Sequence, residues 1–243
     1  MRRTKIIATL GPAVDTKEKI FELIEAGANL VRLNTAHGNW ETRRQWIRWV
    51  REAEITFKVP IGVLLDLAGP KVRIGTLRSP IQLEKDQRVV FRFAETQTDS
   101  EIPLPIAEVF RSARPNDRLL VDDGSIELQI VRVEPELMEA VVLEGGELRS
   151  QRGITLPNRT LALPSMTPKD REDLRQGISA RVDWIALSFV RSVTDVMNLQ
   201  ALIKEHGVNT PVIAKIEQRA ALDDLEEIVA VADGGMVARG GLG

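Results

Sequence analysis

Two hydrophobic rhythms alternate along the chain. In the first, a short continuous apolar run leads through a turn into apolar residues at helical spacing. Lys5–Leu10 is such a run, closed by Gly11-Pro12. Asp15-Thr16-Lys17-Glu18 then opens a helix with Ile20, Leu23 and Ile24 on one face, stopping near Gly27. Asn29–Leu33 is a second strand, followed by a helix from Glu41 to Glu54 that carries Trp46, Ile47, Val50 and Ala53. Ile61–Asp66 is a third. The rhythm returns at Val182–Ser188, Val212–Ile216 and Gly235–Ala238. Apolar strands alternating with helices predict a parallel sheet covered on both faces. Either a (β/α) barrel or an open doubly wound sheet satisfies that pattern.

Between Pro70 and Pro164 the rhythm changes to period two. Arg88–Phe93 alternates strictly. Leu119–Val121, Asp122-Asp123-Gly124-Ser125 and Ile126–Val131 read as a hairpin with an Asp-Gly turn. Ala140–Leu143, Gly145-Gly146 and Ile154–Pro157 continue in the same style. A small all-β domain, residues 70–164, is therefore expected as an insertion after the third strand of a domain built from 1–69 and 165–243.

Polar groups gather at the C-terminal ends of the apolar strands. Arg32 and Asn34 close the second, Asp66 the third, Ser188 the fourth, Lys215 and Glu217 the fifth, and Arg239 the sixth. Residues two apart on a strand share a face, so Arg32 pairs with Asn34 and Lys215 with Glu217. In α/β barrels that end carries the catalytic groups. Arginine and lysine beside carboxylates suit a phosphorylated, metal-bound anion. Phosphoryl transfer rests on positioning and charge neutralisation, so it needs no Cys or His nucleophile.

Composition narrows the chemistry further. The 243 residues include no cysteine and two histidines, which removes disulfides, thiolate sites and a multi-histidine metal centre. Lys plus Arg number 33 against 35 Asp plus Glu, a net charge of -2 that leaves no basic footprint for nucleic acid. No apolar run approaches the roughly 20 residues that span a bilayer, and the basic start at Met1-Arg2-Arg3 runs straight into a strand rather than a signal peptide. Other residues have plain structural readings. His206 beside Gly207 reads as a helix C-cap, Trp46 and Trp49 as packing, and the Arg43-Arg44 pair as a solvated helix face. Gly11-Pro12, Gly69-Pro70 and Gly234-Gly235 punctuate turns. Gly240–Gly243 lets backbone approach an anion closely but lacks the ending of a Walker loop.

Taken in order, these motifs resemble the pyruvate kinase family over the whole chain. The resemblance lies in Thr4–Ala13, Ala26–Gly38, Leu65–Gly75, Val121–Gly124, Arg152–Pro157, Ser188–Arg191, Ala214–Glu217 and Met236–Gly240. It implies a TIM-type barrel with six of eight strands present and a mobile β lid inserted after strand three. It also implies a cytoplasmic, glycolytic enzyme that moves the phosphoryl group of phosphoenolpyruvate to ADP, using Mg²⁺ (or Mn²⁺) and K⁺. By this correspondence Arg32 and Lys215 hold the phosphoryl group, and Lys215 also neutralises the developing enolate. Glu217 binds Mg²⁺, while Asn34 and Asp66 serve K⁺. Ser188 and the backbone at Ala238-Arg239-Gly240 face the substrate, and His37, Arg73 and Arg152 face the nucleotide. No membrane or nucleic-acid partner is implied, but a homo-oligomer, or a chain that completes the barrel, is.

Three departures accompany the resemblance. Gly241 stands where the family has a second metal-binding Asp, and Ala36 where it has a Ser of the K⁺ site. The sequence also ends at the sixth strand, leaving about 150 residues outside the inserted domain where a whole barrel takes about 250. A non-catalytic relative or subunit that binds phosphoenolpyruvate or nucleotide is the alternative these departures favour.

Overall fold

The computed structural model describes residues 4–122, 124–157, 159 and 161–238. Strand β1 (Ile7–Thr9), helix α1 (Lys17–Glu25), β2 (Leu30–Asn34), α2 (Trp40–Phe57) and β3 (Gly62–Asp66) open the chain. The inserted stretch holds β4 (Ile81–Leu83), β5 (Arg88–Arg92), β6 (Ile102–Pro103), α3 (Ala107–Ser112), β7 (Arg118–Val121), β8 (Ile126–Val133), β9 (Leu137–Glu144), β10 (Gly146–Leu148) and β11 (Ile154–Thr155). The first rhythm then resumes with α4 (Pro168–Ser179), β12 (Trp184–Leu187), α5 (Val193–Glu205), β13 (Val212–Ile216), α6 (Ala220–Asp223), α7 (Leu225–Val231) and β14 (Gly234–Val237). The chain divides into two compact units, Met1–Pro70 with Pro164–Gly243, and Lys71–Leu163.

In the first unit six strands form one sheet in the order β1-β2-β3-β12-β13-β14, and every neighbouring pair is parallel. The order follows the chain without the reversal that marks a doubly wound sheet, so the strands form a curled, half-barrel α/β winding. The helix faces are set by the apolar spacing: Ile20 and Ile24 of α1, Ile47, Val50 and Ala53 of α2, and Val196, Leu199 and Ile203 of α5 are all buried. They pack with Val31, Leu33, Val63, Leu65, Ile185, Leu187, Val212 and Ala214 from the strands in one apolar core. The central strands are buried nearly throughout, whereas the outermost two, β1 and β14, leave Ile7 and Val237 exposed.

Starts and stops follow local chemistry. Thr16 caps α1 by accepting from the Lys19 amide, and Asn39 caps α2 by accepting from Thr42. The second helix is longer than the Glu41–Glu54 stretch expected from periodicity, because Trp40 already packs on the core and Lys58 ends the helix in a left-handed conformation. His206 is the C-cap of α5.

The second unit is all-β apart from α3. One sheet runs β11-β7-β8-β9-β5-β6 and a second pairs β10 with β4. The expected hairpin is β7–β8, with Val121 opposite Ile126. Its turn places Asp122 and Gly124 at positive φ (54° and 88°), and the Gly124 and Ser125 amides donate to the Val121 and Asp122 carbonyls. Phe91, Leu119, Leu128, Ile130 and Val142 lie in its own core.

One buried carboxylate ties a helix start to a strand exit. Asp170, fully buried in the first turn of α4, accepts from the Thr167 amide and hydroxyl at 2.8 and 2.6 Å, completing a capping box. Its other oxygen accepts from the Gly69 amide at 3.1 Å, just beyond β3. Gly69 sits at φ 68°, and a Cβ there would meet the Phe189 ring at 2.7 Å, so glycine is required twice over. Asp170→Ala would leave these donors unpaired and should lower unfolding free energy by about 2–3 kcal/mol in a urea titration. An unchanged midpoint would show that water replaces the carboxylate.

Candidate active site

The strand ends that carry polar residues in sequence lie side by side in the sheet. Register sets Arg32 beside Thr9 and Asn34 beside Asp66. It sets Asp66 beside Ala186 on β12, with Ser188 two residues further on, and Leu187 beside Ala214, next to Lys215 on β13. Parallel pairing of in-register strands therefore brings residues distant in sequence to one end of the sheet.

Asp66 is the hub, 2% exposed. Arg32 approaches it through Nε at 2.7 Å and Nη2 at 2.5 Å, both to Oδ2. Lys215 Nζ lies 3.1 Å from Oδ1. That ammonium also donates to Ser188 Oγ at 2.7 Å and pairs with Glu217 Oε1 at 3.0 Å, so three neighbouring groups surround it. Ser188 passes its own proton to the Leu67 carbonyl at 2.6 Å. Glu217 Oε2 accepts from the Phe189 amide at 3.0 Å, holding a residue at φ 55°. A non-glycine residue in that region is strained backbone, sustained here by a charge-assisted bond. Arg32 reaches Thr9 Oγ1 through Nη1 at 3.0 Å.

The cluster balances two cations against two carboxylates. Arg32 keeps 27% of its side chain exposed and Lys215 only 9%, so the guanidinium is the accessible cation and the ammonium lies beneath it. Such a site offers an anion an arginine fork from outside and a buried lysine within.

The pyruvate kinase barrel-domain family model matches residues 1–243. This chain belongs to the pyruvate kinase family. It is 40% identical over 245 residues to the pyruvate kinase of Agrobacterium vitis, covering 100% of this chain and 51% of that protein. The Thermotoga maritima pyruvate kinase is 38% identical over 245 residues, and that of Corynebacterium efficiens 41% over 244; the chain covers 53% and 52% of these. It thus spans about half the length of the pyruvate kinases it matches.

Of the residues assigned by family resemblance, Arg32, Asp66, Ser188, Lys215 and Glu217 form this one cluster. Asn34 does not join it through its side chain, which accepts from the Ala36 amide at 2.9 Å and shapes the turn after β2. His37 is exposed in the same turn. Ala238 follows β14, its amide donating to the Ile216 carbonyl, while Arg239, Gly240 and Gly241 lie outside the described residues. Arg73 and Arg152 belong to the second unit, where Arg73 donates to the Gln151 carbonyl at 2.7 Å and Arg152 pairs with Asp122 at 3.0 Å.

One expectation is overturned. Arg43 is not part of a solvated face but is buried at 2% exposure, while Arg44 stays exposed. Arg43 stands four residues before Ile47 and seven before Val50, so it shares their inward face. Burial pushes its pKa below the usual arginine value, partly offset by the negative charge of Asp173. Sequence reasoning also passed over Thr9 and Thr35. Thr9 closes the first strand, so it obeys the same strand-end rule as the others. Thr35 is fully buried, donating its hydroxyl proton to the Asp66 carbonyl and accepting from the Ala68 amide, both at 3.0 Å.

Asp66→Ala would strand Arg32 and Lys215 against each other. Breaking a buried pair on one side costs about 3–5 kcal/mol, so chemical denaturation should register a loss of that size. A variant as stable as the parent would mean that the cations are neutralised by something other than Asp66.

Proposed function

We propose that this chain is the phosphoenolpyruvate-binding part of a pyruvate kinase-type phosphotransferase, with a TIM-type barrel and an inserted lid. The observation that carries the reading is the Arg32–Asp66–Lys215–Glu217 cluster at the C-terminal strand ends. In this reading Arg32 receives the phosphoryl oxygens from the solvent side. Lys215, already held by Asp66, Ser188 and Glu217, lies beneath the enol oxygen. As the bond from that oxygen to phosphorus breaks, negative charge develops there, and a preoriented ammonium stabilises it without reorganising. The phosphoryl group passes to ADP, with His37, Arg73 and Arg152 as nucleotide contacts. The substrate carboxylate lies near the backbone at Ala238-Arg239-Gly240.

The donor set bears on the metals. Among the described residues no group of three or more His, Asp or Glu is placed to hold an ion. Glu217 would hold Mg²⁺ (or Mn²⁺), which commonly binds through one or two carboxylates plus water and substrate phosphate. The residues therefore fit an ion shared with the substrate rather than a resident one. When bound, the metal would supply charge neutralisation at the phosphoryl oxygens. Asn34 and Asp66 adjoin each other in register and would serve K⁺, with Ala36 contributing no side-chain oxygen.

Two further features belong to the proposal. Ile6 and Ile7 at β1 are exposed, as are Leu222, Leu225, Val229 and Val237 around β14. Apolar sheet edges favour pairing, supporting further β/α units, or a second chain, that close the barrel. A homo-oligomer is the other assembly. The location expected of such a glycolytic enzyme is the cytoplasm, and no helix among the described residues is long and apolar enough to cross a membrane. Glu217 as the one acid assigned to Mg²⁺, with Gly241 in place of a second, favours one alternative, a relative that binds phosphoenolpyruvate or nucleotide without turnover.

Calorimetry with phosphoenolpyruvate, with and without Mg²⁺, and a coupled assay with ADP separate these readings. Binding that strengthens with Mg²⁺, accompanied by turnover, is the expected result; binding alone selects the alternative, no binding of phosphoenolpyruvate refutes the first reading, and no binding of either phosphoenolpyruvate or ADP refutes both. Lys215→Met should abolish transfer while the chain stays folded by circular dichroism, and undiminished transfer would remove its role. Gly241→Asp should tighten Mg²⁺ binding by adding a carboxylate, measurable by titration; equal affinity would show that residue 241 lies away from the ion.

A further inference from the structure

The turn after β2 is gripped by cations from outside the cluster. Arg43 of α2 donates through Nη2 to the Asn34 carbonyl at 3.2 Å and to the His37 carbonyl. Lys169 of α4 donates to the Thr35 carbonyl at 2.7 Å. Asp173, 3% exposed, joins the two helices: it accepts from Trp40 Nε1 at 2.7 Å and from Lys169 at 2.5 Å. The Arg43 guanidinium lies over the Trp40 ring, 5.5 Å from its centroid. Carbonyls 34, 35 and 37 thus all accept from cationic donors. Burying an arginine is costly unless hydrogen bonds and opposite charge offset it; here Asp173 supplies charge and the acceptors are carbonyls of the segment that presents Asn34, Ala36 and His37.

We infer that Arg43, supported by Trp40, Asp173 and Lys169, is a positioning residue that sets the backbone of residues 34–38 and thereby aims His37 at its ligand. Its functional side rests on the reading of His37 as a nucleotide contact. Two protons on one guanidinium nitrogen reach the first and last carbonyls of the four-residue stretch 34–37 and hold the turn at both ends. Lys169 secures the middle, while Thr35 fastens the same turn to β3 through the Asp66 carbonyl. The clamp lies behind the turn, so it acts through His37 without touching the reacting atoms.

The test uses the 243-residue chain and its two histidines. Proton NMR reads the ring signals of His37 in the turn and His206 at the end of α5, the latter as internal reference. Arg43→Met keeps a stem over Trp40 and removes the donors. It should move the ligand-free His37 signal toward that of free histidine, leave His206 in place, and weaken the Mg-ADP response of His37 at least tenfold. Phosphoenolpyruvate binding should stay within twofold. Arg43→Lys, which keeps donors, should restore most of the His37 position. A His37 signal unmoved in Arg43→Met would overturn the inference. If that variant unfolds, shifting both histidines, Lys169→Met removes a mostly exposed donor instead. A displaced His37 there supports the clamp and an unmoved one overturns it. A parent chain whose His37 ignores Mg-ADP refutes the nucleotide reading alone, because the ligand-free comparison still decides the clamp.

Discussion

The buried carboxylate of Asp66 is the constraint on which the first unit depends. A charge at 2% exposure is tolerable only with opposite charge and hydrogen bonds around it. Arg32 from β2 and Lys215 from β13 supply the charge, and Ser188, just past β12, is tied to the carboxylate through the Lys215 ammonium. Each partner comes from a different strand. The requirement to neutralise one group therefore fixes how far each strand advances at this end, and a slip in any of them would leave a buried charge unmatched. Chemistry and strand register are satisfied by the same contacts.

A second layer holds the loops that leave those strands. Asp170 joins the turn after β3 to α4, and Asp173, one helical turn later, joins α4 to Trp40 of α2 while holding Lys169 on its own helix. Both acids face inward because they lie three residues apart on one helix. Side chains on α2 and α4 thus govern the backbone that presents Asn34, Ala36 and His37. Loops at the functional end of an α/β sheet are otherwise the parts freest to move, and buried carboxylates here take that freedom away.

Much of this was legible in the sequence because period and position carry physical meaning. Continuous apolar runs such as Val212–Ile216 marked strands, and the strand-end rule picked out Arg32, Asp66, Ser188, Lys215 and Glu217. Two features escaped for definite reasons. Arg43 was judged by its charge, although its spacing to Ile47 and Val50 puts it on the buried face; its aliphatic stem can line a core while the guanidinium finds carbonyls. Asp173 and Lys169 act on residues about 130 positions earlier, and no local pattern reports a contact made across the fold. Asn34 stands where expected, but its side chain is spent on its own turn, a preference common to Asn that a strand-end reading ignores.

The charge balance of the cluster also limits how a ligand can enter. Lys215 is already engaged by Asp66, Glu217 and Ser188, and Arg32 already shares its guanidinium between Asp66 and Thr9. An incoming phosphoryl group therefore meets a neutral site rather than an open cationic pocket. Adding a multiply charged anion to it is unfavourable unless a cation arrives at the same moment. Under the proposed function that cation is the divalent ion, and Glu217, whose Oε1 faces Lys215 and whose Oε2 holds the Phe189 amide, is the group that would hold it and so supply charge neutralisation there. The carboxylate that would hold the metal is thus the same one that restrains the strained Phe189 backbone.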